Sequence, residues 1–223
     1  MGMKLLKTKL SNLEIFENGV FELDFINEKR VSNSEKISNI VFPLFNNFYD
    51  LNSIALVGIN ASGKTVSLKL ISDILNIYIA NYGLSSTRNL QYFFKNELEI
   101  TNILMDDNKL YKIKSYIKKN EENKMYFYEE ELKEVNITTQ INHVNLSKIF
   151  DNIKPTLRSE LKTEFLKRDD SIFSAILNQK DKRVGIFDLS FFTNKNIPVL
   201  HKFVELDFVR YLDPSIKKLE ILS

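Results

Sequence analysis

One short stretch of this chain constrains its fold more than any other feature. Residues 53–57 are typical of a short buried strand, and they lead into Gly58, which is followed at fixed spacing by Gly63, Lys64 and Thr65. Gly58 permits a tight turn, and Gly63 leaves no side chain where backbone amides must approach an anion. The stretch is predicted to join the strand to a helix, because apolar residues follow at helical spacing: Val66, Leu70, Ile74, Ile77 and Tyr78.

The spacing of these residues is that of a Walker A loop, whose backbone amides surround the phosphates of a nucleoside triphosphate. The helix that follows adds the positive end of its dipole. Lys64 is expected to contact the β- and γ-phosphate oxygens, and the Thr65 hydroxyl is expected to ligate a Mg²⁺ ion that keeps several waters. The predicted nucleotide-binding residues of the loop are Gly58, Asn60, Ala61, Ser62, Gly63, Lys64 and Thr65.

Composition excludes several functions for this chain of 223 residues. The absence of cysteine excludes disulfides, thiolate catalysis and cysteine zinc sites. No stretch is long and apolar enough to cross a membrane, and residues 1–10 alternate lysine with leucine, unlike a secretory signal. The formal net charge of +2 does not require a nucleic-acid partner. A cytoplasmic location is therefore expected.

Alternation of apolar and polar residues predicts several strands. Residues 4–10 and 20–25 alternate in this way, and the Asn18-Gly19 pair between them is a strong turn signal. Farther along, the same pattern predicts an antiparallel sheet of three or four strands in residues 98–104, 110–117 and 125–137. Its mixture of aromatic residues and lysines is interpreted as a half-solvated face in preference to a base-stacking platform. The run Glu129-Glu130-Glu131 is interpreted as a solvated turn.

Helical spacing returns in the second half of the chain. Apolar residues recur through residues 146–177 with a kink at Pro155, and residues 169–171 are predicted to cap a further helix. A last helix with a solvated, charged face is predicted over residues 198–211.

The loop and the order of the predicted elements resemble a known family. Asn60 stands two places after the first glycine, and residues 61–64 form the small-Ser-Gly-Lys ending typical of ABC-type ATPase heads in RecF, SMC and OLD-like proteins. The strands, the loop helix, the antiparallel insert and the later helices resemble the first lobe of such a head. More narrowly, Leu212-Asp213-Pro214-Ser215-Ile216 is similar to a phrase in AAA-family ATP-binding proteins of the abortive-infection, AbiLi-like kind.

The resemblance implies an α/β P-loop NTPase fold, the N-terminal lobe of an ABC-type ATPase head with an antiparallel β insert and a helical segment. A single incomplete ATPase domain is expected, with a P-loop core in residues 1–95, the insert in residues 96–140 and the helical segment in residues 141–223. ATP and Mg²⁺ are the implied cofactors, and a homodimer or a partner ATPase half is the implied assembly. A role in phage defence or in nucleic-acid transactions follows from the resemblance alone.

The family pattern also shows what these residues lack. Hydrolysis in such heads needs a Walker B strand with a catalytic glutamate, and dimerisation needs a glycine-rich signature loop. Residues 184–188 are the nearest Walker B candidate and make Asp188 the catalytic candidate, although Leu189 stands in place of the glutamate. By resemblance both motifs come after Ile216, so the chain is expected to be the amino-terminal half of a head.

In the family that this chain resembles, a glutamine contacts Mg²⁺ and couples the nucleotide to movement of the lobe. The resemblance assigns this role to Gln179, and an ordinary polar residue at a helix end is the alternative. Gln91 competes less well because it precedes the antiparallel insert. His143 and His201 are isolated and predict no metal site.

Three functions remain open at this point. The leading hypothesis is a Mg-ATP-binding ATPase head that needs a C-terminal half and a head-to-head partner for hydrolysis. The alternatives are a non-catalytic nucleotide sensor or interaction module that is complete at Ser223, and a phosphotransferase that uses Asp188. A GTPase is disfavoured because residues 194–197 lack the aspartate that selects guanine, and a small-molecule kinase is disfavoured because the arginines are widely dispersed.

Overall fold

The computed structural model describes residues 3–27, 41–46, 48–51, 54, 56, 63–87, 89–139, 141, 146–161 and 166–177. The strands are β1 (Lys4–Ser11), β2 (Val20–Asp24), β3 (Ile26–Asn27), β4 (Val41–Phe45), β5 (Phe48–Leu51), β6 (Glu97–Asp106), β7 (Lys109–Lys119), β8 (Met125–Asn136) and β9 (Thr156–Leu157). The α-helices are α1 (Lys64–Tyr78) and α2 (Ile172–Ile176). Short 3₁₀ turns are η1 (Leu84–Ser86), η2 (Leu90–Tyr92), η3 (Lys148–Phe150) and η4 (Arg158–Glu160).

A six-stranded antiparallel sheet, in the order β2-β1-β6-β7-β8-β9, is the main element of the fold. Its register aligns Leu10 of β1 with Ile100 of β6, then Ser115 of β7 and Glu130 of β8. Directly opposed residues in a sheet point to the same face. These four side chains therefore form one row across the sheet, and each of them is buried.

The face that carries this row packs against α1. Ile100 and Leu104 of β6 belong to the same buried cluster as Leu70 and Ile74 of α1. Full burial of one such side chain contributes about 1.5–3 kcal/mol, so several together hold the helix firmly on the sheet. The predicted strand alternation and the predicted helix spacing thus meet in one core.

The turns of the main sheet lie in the gaps between the predicted strands. Asp107, between β6 and β7, has a φ of +49°, and Asn123, between β7 and β8, has a φ of +59°. Asparagine and aspartate tolerate this left-handed backbone better than other residues with a side chain. Gly19, just before β2, has a φ of +65°, which confirms the predicted turn there.

The opposite face of the sheet carries paired charges. The Lys114 amine lies 3.2 Å from a carboxylate oxygen of Glu99 on the neighbouring strand, and the Lys118 amine lies 2.9 Å from Glu97. All four side chains are between about a third and two thirds exposed, so they lie at a solvent-facing surface. Because the lysines are matched by carboxylates, this face fits the half-solvated interpretation better than a base-stacking platform.

A second, smaller sheet in the order β3-β5-β4 stands beside a second buried cluster. Phe48 of β5 shares that cluster with Leu6 of β1 and with Ile103 and Met105 of β6. Leu6 reaches it because the register of β1 against β6 shifts between Leu5 and Lys7. With strict alternation Leu6 would share the face of Thr8 and Leu10, but the extra residue at this irregularity places Leu6 in the second cluster while Leu5 stays in the first.

The interpretation of Glu129-Glu130-Glu131 as a solvated turn is wrong. These residues lie within β8, which runs without interruption from Met125 to Asn136. Alternate residues of a strand face opposite sides, so Glu130 points into the core while its two neighbours point outward. The Glu130 side chain has no exposed surface.

A continuous helical pattern over residues 146–177 is also wrong for most of its length. The described residues before 162 form η3, the short strand β9 and η4 instead. Pro155 has no backbone N–H and disfavours a helical residue before it, and the next two residues pair with β8. The capped helix at the end of this region is confirmed, because the Ser171 hydroxyl accepts a hydrogen bond from the Phe173 amide at the start of α2. The helix predicted over 198–211 lies outside the described residues.

The fold is therefore mixed α/β, mostly antiparallel sheet, with few helices in the part of the chain that the structure describes. Because β1 pairs with β6, one sheet includes residues from both sides of the expected boundary at residue 96. The division into core, insert and helical segment stays a prediction. Among the described helices, none has the length and apolar character needed to span a membrane.

Candidate functional site

The candidate site lies at the N-terminal end of α1. Gly63 caps this helix with φ +83° and ψ 4°, a left-handed conformation that favours glycine. The helix begins at the next residue, Lys64, and its first turn contains no acidic side chain. The first amides of a helix have no partner within the helix, so this end presents donors and a partial positive charge.

The two side chains predicted to act on the phosphates open the helix. Lys64 is half-buried and Thr65 is exposed. One turn later Ser67 closes the first turn, donating from its amide and its hydroxyl to the Gly63 carbonyl at 2.9 and 3.1 Å. The structure therefore confirms a glycine-started helix that carries Lys64 and Thr65 in its first turn.

The earlier part of the predicted loop lies outside the described residues. This applies to Gly58, Asn60, Ala61 and Ser62, and to most of the expected strand at 53–57. Ile54, which is described, is 38% exposed. The roles of these residues in nucleotide binding stay predictions.

An aromatic side chain that the sequence pattern did not single out lies beside Gly63. A methyl group added to Gly63 would stand 4.0 Å from Cε1 of Phe16. The Phe16 ring packs at 5.6 Å, centroid to centroid, from the ring of Phe21 on β2. The loop that carries it is held by two backbone hydrogen bonds, from Gly19 to the Phe16 carbonyl and from Leu13 to the Gly19 carbonyl.

The Asn18-Gly19 turn signal was the available clue to Phe16, because it indicates a loop between two strands. Nothing local in the sequence, however, places that loop next to a helix that starts more than forty residues later.

The body of α1 is anchored by polar contacts as well as by its apolar face. Asp73, in the middle of the helix, is 2% exposed and accepts hydrogen bonds from the amides of Leu90 at 2.7 Å and Asn89 at 3.1 Å. The carboxylate thereby caps the start of η2. Tyr78, the last residue of α1, donates from its hydroxyl to Ser115 Oγ at 2.8 Å. The middle and the C-terminal end of the buried face are thus fixed to other elements.

The other candidate residues divide between the described and undescribed parts of the chain. Gln179, Asp188, His143 and His201 lie outside the described residues. Gln91 lies in η2, where its carbonyl accepts a hydrogen bond from the Lys119 amine at 2.7 Å.

Gln91 also lines a cleft of about 580 Å³ at the turn between β7 and β8. Neither Lys64 nor Thr65 is among the residues that line this cleft. Burial lowers the pKa of Lys119 from its ordinary value, while the charge of Glu14 opposes the shift. Lys119 also donates to the Phe94 carbonyl at 2.5 Å, so it serves to hold the end of η2.

The first turn of α1 presents one exposed hydroxyl, that of Thr65, which could ligate a metal ion. The described residues contain no group of three or more histidine, cysteine, aspartate or glutamate side chains that could hold a metal ion. Mg²⁺ in nucleotide sites commonly keeps several waters and takes few protein ligands beside the phosphates. The exposed Thr65 hydroxyl is suited to that role.

No protein-family model matches this chain, and the curated proteins contain no match to it either.

Proposed function

We propose that this chain binds Mg-ATP at the N-terminal end of α1, as part of an ABC-type ATPase head. One observation carries the proposal. Gly63, in the left-handed conformation, starts a helix of 15 residues that presents Lys64 and Thr65 in its first turn. Phosphate binding by the motif depends on this geometry.

Electrostatics at this helix end favour an anion. The first-turn amides and the helix dipole supply partial positive charge, and Lys64 adds a full one. Because the first turn has no acidic residue, no carboxylate of that turn opposes the partial positive charge of the helix end. A triphosphate with Mg²⁺ satisfies the donors, and Thr65 then ligates the metal.

The firm attachment of α1 suits a binding site of this kind. Donors must be fixed before the ligand arrives if they are to stabilise its charge without reorganisation. The buried apolar residues of α1 and the Asp73 cap provide that rigidity. Phe16 adds an apolar side chain beside Gly63.

Adenine is proposed over guanine because residues 194–197 lack the aspartate of the guanine-reading motif. Hydrolysis requires a catalytic glutamate and a signature loop, which in this proposal come from a further segment or from a partner. Gln179 is proposed to contact Mg²⁺ in the assembled head. Action in phage defence or on nucleic acid, in the cytoplasm, is the part of the proposal that rests on family resemblance alone.

Calorimetric titration of Mg-ATP into the purified chain tests the proposal. We expect binding by the wild type and a loss of roughly 10- to 100-fold in affinity for Lys64→Ala, because charge-assisted hydrogen bonds contribute about 1.5–3 kcal/mol. The matched control is Lys69→Ala, on the same helix, which should bind within about twofold of the wild type. Absence of binding by the wild type, or equal binding by Lys64→Ala, would contradict the proposal.

Turnover measured on the same samples separates the leading proposal from the alternatives. Binding without turnover supports a head that needs its missing motifs, or a sensor. If a partner half then restores Lys64-dependent hydrolysis, the sensor is excluded. Turnover by the chain alone that is lost in Asp188→Asn, with binding retained, would instead assign phosphotransfer chemistry to Asp188.

A further inference from the structure

A carboxylate buried beneath α1 accepts hydrogen bonds from three different segments of the chain. The Glu130 side chain, on β8, has no exposed surface and accepts four hydrogen bonds. The donors are Ser115 Oγ of β7 at 3.0 Å, Arg158 Nη1 of η4 at 2.8 Å, Ser171 Oγ at 2.7 Å and the Ile172 amide of α2 at 2.7 Å. Nothing in the proposed nucleotide site uses this group.

The network continues to the helix of the nucleotide site. Tyr78, the last residue of α1, is 1% exposed, and its hydroxyl donates to Ser115 Oγ at 2.8 Å. The Ser115 hydroxyl in turn donates to Glu130. Three hydrogen bonds therefore connect Tyr78, Ser115, Glu130 and Ile172 in an unbroken line from α1 to α2.

Arg158 fastens the segment that leads into α2. Besides Glu130, its guanidinium donates to the carbonyl of Asp170 at 2.7 Å and to the carbonyl of Lys167 at 2.6 Å. It also lies over the Phe127 ring, 5.4 Å from the centroid. The loop before α2 and the first amide of α2 are thus tied to the same buried charge.

Stability alone does not explain why a buried ionic network of this kind is present. A buried ion pair is often replaceable by apolar residues of similar volume without loss of stability, and what it adds is directional geometry. The apolar contacts around it tolerate small shifts, whereas each hydrogen bond requires a narrow range of distance and angle. A shift of α1 would therefore change the geometry of the hydrogen bonds that run from Tyr78 to Ile172, and in this way affect α2.

We propose that Glu130 is a positioning residue that couples α1 to α2, so that nucleotide binding at the start of α1 changes the stability of α2. The inference rests on the proposed Mg-ATP site. Binding at the start of α1 restricts the motion that this anchored helix retains, and through Tyr78, Ser115 and Glu130 it strengthens the hydrogen bond to the Ile172 amide. Ligands shift populations in this way when they favour one arrangement of a linked element.

Amide hydrogen exchange at Ile172, followed by NMR with and without saturating Mg-ATP, tests the coupling on the full chain. In the wild type we expect Mg-ATP to slow exchange at this amide by about fivefold or more, the lower end of typical coupling between two sites. Tyr78→Phe removes only the hydroxyl that links α1 to Ser115. We expect it to bind Mg-ATP within about twofold of the wild type but to reduce the effect at Ile172 below about twofold.

The matched control is Tyr111→Phe, which also removes a hydroxyl from a buried tyrosine near α2. The Tyr111 ring meets the Phe173 ring edge-on at 5.5 Å but is not part of the line of hydrogen bonds. It should keep the full effect of Mg-ATP at Ile172. If Tyr78→Phe does not fold, Ser115→Ala interrupts the same line at its middle and is held to the same expectation.

The outcomes separate this inference from the proposal on which it rests. Absence of Mg-ATP binding in calorimetry would overturn the proposed function itself. Binding with no change at Ile172, or a change that persists in both Tyr78→Phe and Ser115→Ala, would overturn the coupling alone. Loss of the effect in the Tyr111→Phe control would also overturn it, because general loosening of the core would then explain the result.

Discussion

Arg158 donates a 2.8 Å hydrogen bond to Glu130, and the two side chains retain only 10% and 0% of their exposure. An ionised carboxylate in such surroundings must be matched by donors, because water is excluded. Burial raises the pKa of the Glu130 carboxyl above its ordinary value of 4.5, while the Ser171 and Ile172 hydrogen bonds and the Arg158 charge oppose the rise. Removal of one partner therefore lowers the free energy of unfolding by more than the intact pair contributes to it.

Replacement of Arg158 by methionine should strongly destabilise the fold. Glu130 would then have to take up a proton or remain charged without its cation, and breaking a buried pair in this way costs about 3–5 kcal/mol. Urea denaturation at neutral pH measures the change in the free energy of unfolding. The control is Arg168→Met, the same change at an exposed arginine, which should stay within about 0.5 kcal/mol of the wild type. Similar losses in both variants would contradict this account.

The raised pKa of Glu130 predicts a pH dependence with a definite sign. As pH rises above 4.5, the carboxyl ionises in the unfolded chain while the folded chain still holds the proton. The free energy of unfolding of the wild type therefore falls as pH rises, until pH passes the raised pKa of the folded chain. A glutamine does not titrate. Glu130→Gln should therefore gain stability relative to the wild type as pH rises from 4.5 toward the raised pKa of the folded chain, measured as the difference in unfolding free energy.

The adjacent Glu129 provides a control of opposite sign. Burial acts to raise its pKa, but hydrogen bonds from Ser159 and from the Glu130 amide outweigh burial and lower the pKa. Its contribution to stability is present above the unfolded pKa and is lost as pH falls through the folded pKa. Glu129→Gln should therefore lose stability relative to the wild type as pH rises from the lowered folded pKa to the ordinary value of 4.5, with no further trend above it. Parallel trends in the two glutamine variants would show that the assigned pKa directions are wrong.

Replacement of Gly63 by alanine should damage both the fold and the proposed site. The φ of +83° is unfavourable for a residue with a side chain by about 1–2 kcal/mol, although the added methyl meets the Phe16 ring only at an ordinary contact distance. The same strain should displace the first amides of α1 and weaken Mg-ATP binding by about tenfold. Urea denaturation and calorimetry measure the two effects.

Gly19→Ala is the matched control for this prediction. Gly19 has a φ of +65° and, like Gly63, leaves room for a methyl group, so a similar loss of stability is expected. It lies in the loop before β2 and outside the proposed phosphate-binding residues, so affinity for Mg-ATP should stay within about twofold of the wild type. Equal loss of affinity in both variants would mean that destabilisation explains the effect of Gly63→Ala.

Features set by residues close together in the chain were predictable. Alternation along residues 4–10, 98–104 and 110–117 predicted strands, and the structure places β1, β6 and β7 there. The spacing from Gly63 into α1 predicted a helix that carries Lys64 and Thr65 at its start. Each of these patterns reflects the geometry of one strand, turn or helix, which depends on a few neighbouring residues.

Predictions from the local sequence pattern were wrong where contacts with residues distant in the sequence decided the secondary structure. The helical spacing after residue 146 did not become a helix, because the strand after Pro155 pairs with β8. The charged run at Glu130 resembled a solvated turn, but its strand direction turns one carboxylate into the core. That burial is possible only because Arg158, Ser171 and Ile172 bring donors to it.

The sequence by itself therefore determined β1, β2, β6, β7 and β8, the turns between neighbouring strands, and the helix that begins after Gly63. Only the tertiary structure decided that Phe16 lies beside Gly63 and that Tyr78 and Glu130 join α1 to α2. Glu130 and Ile172 are 42 positions apart, and Tyr78 and Ser115 are 37 apart. Periodicity carries no information over such separations. These contacts depend on which surfaces exclude water together, and that is settled when the whole sheet and its helices pack.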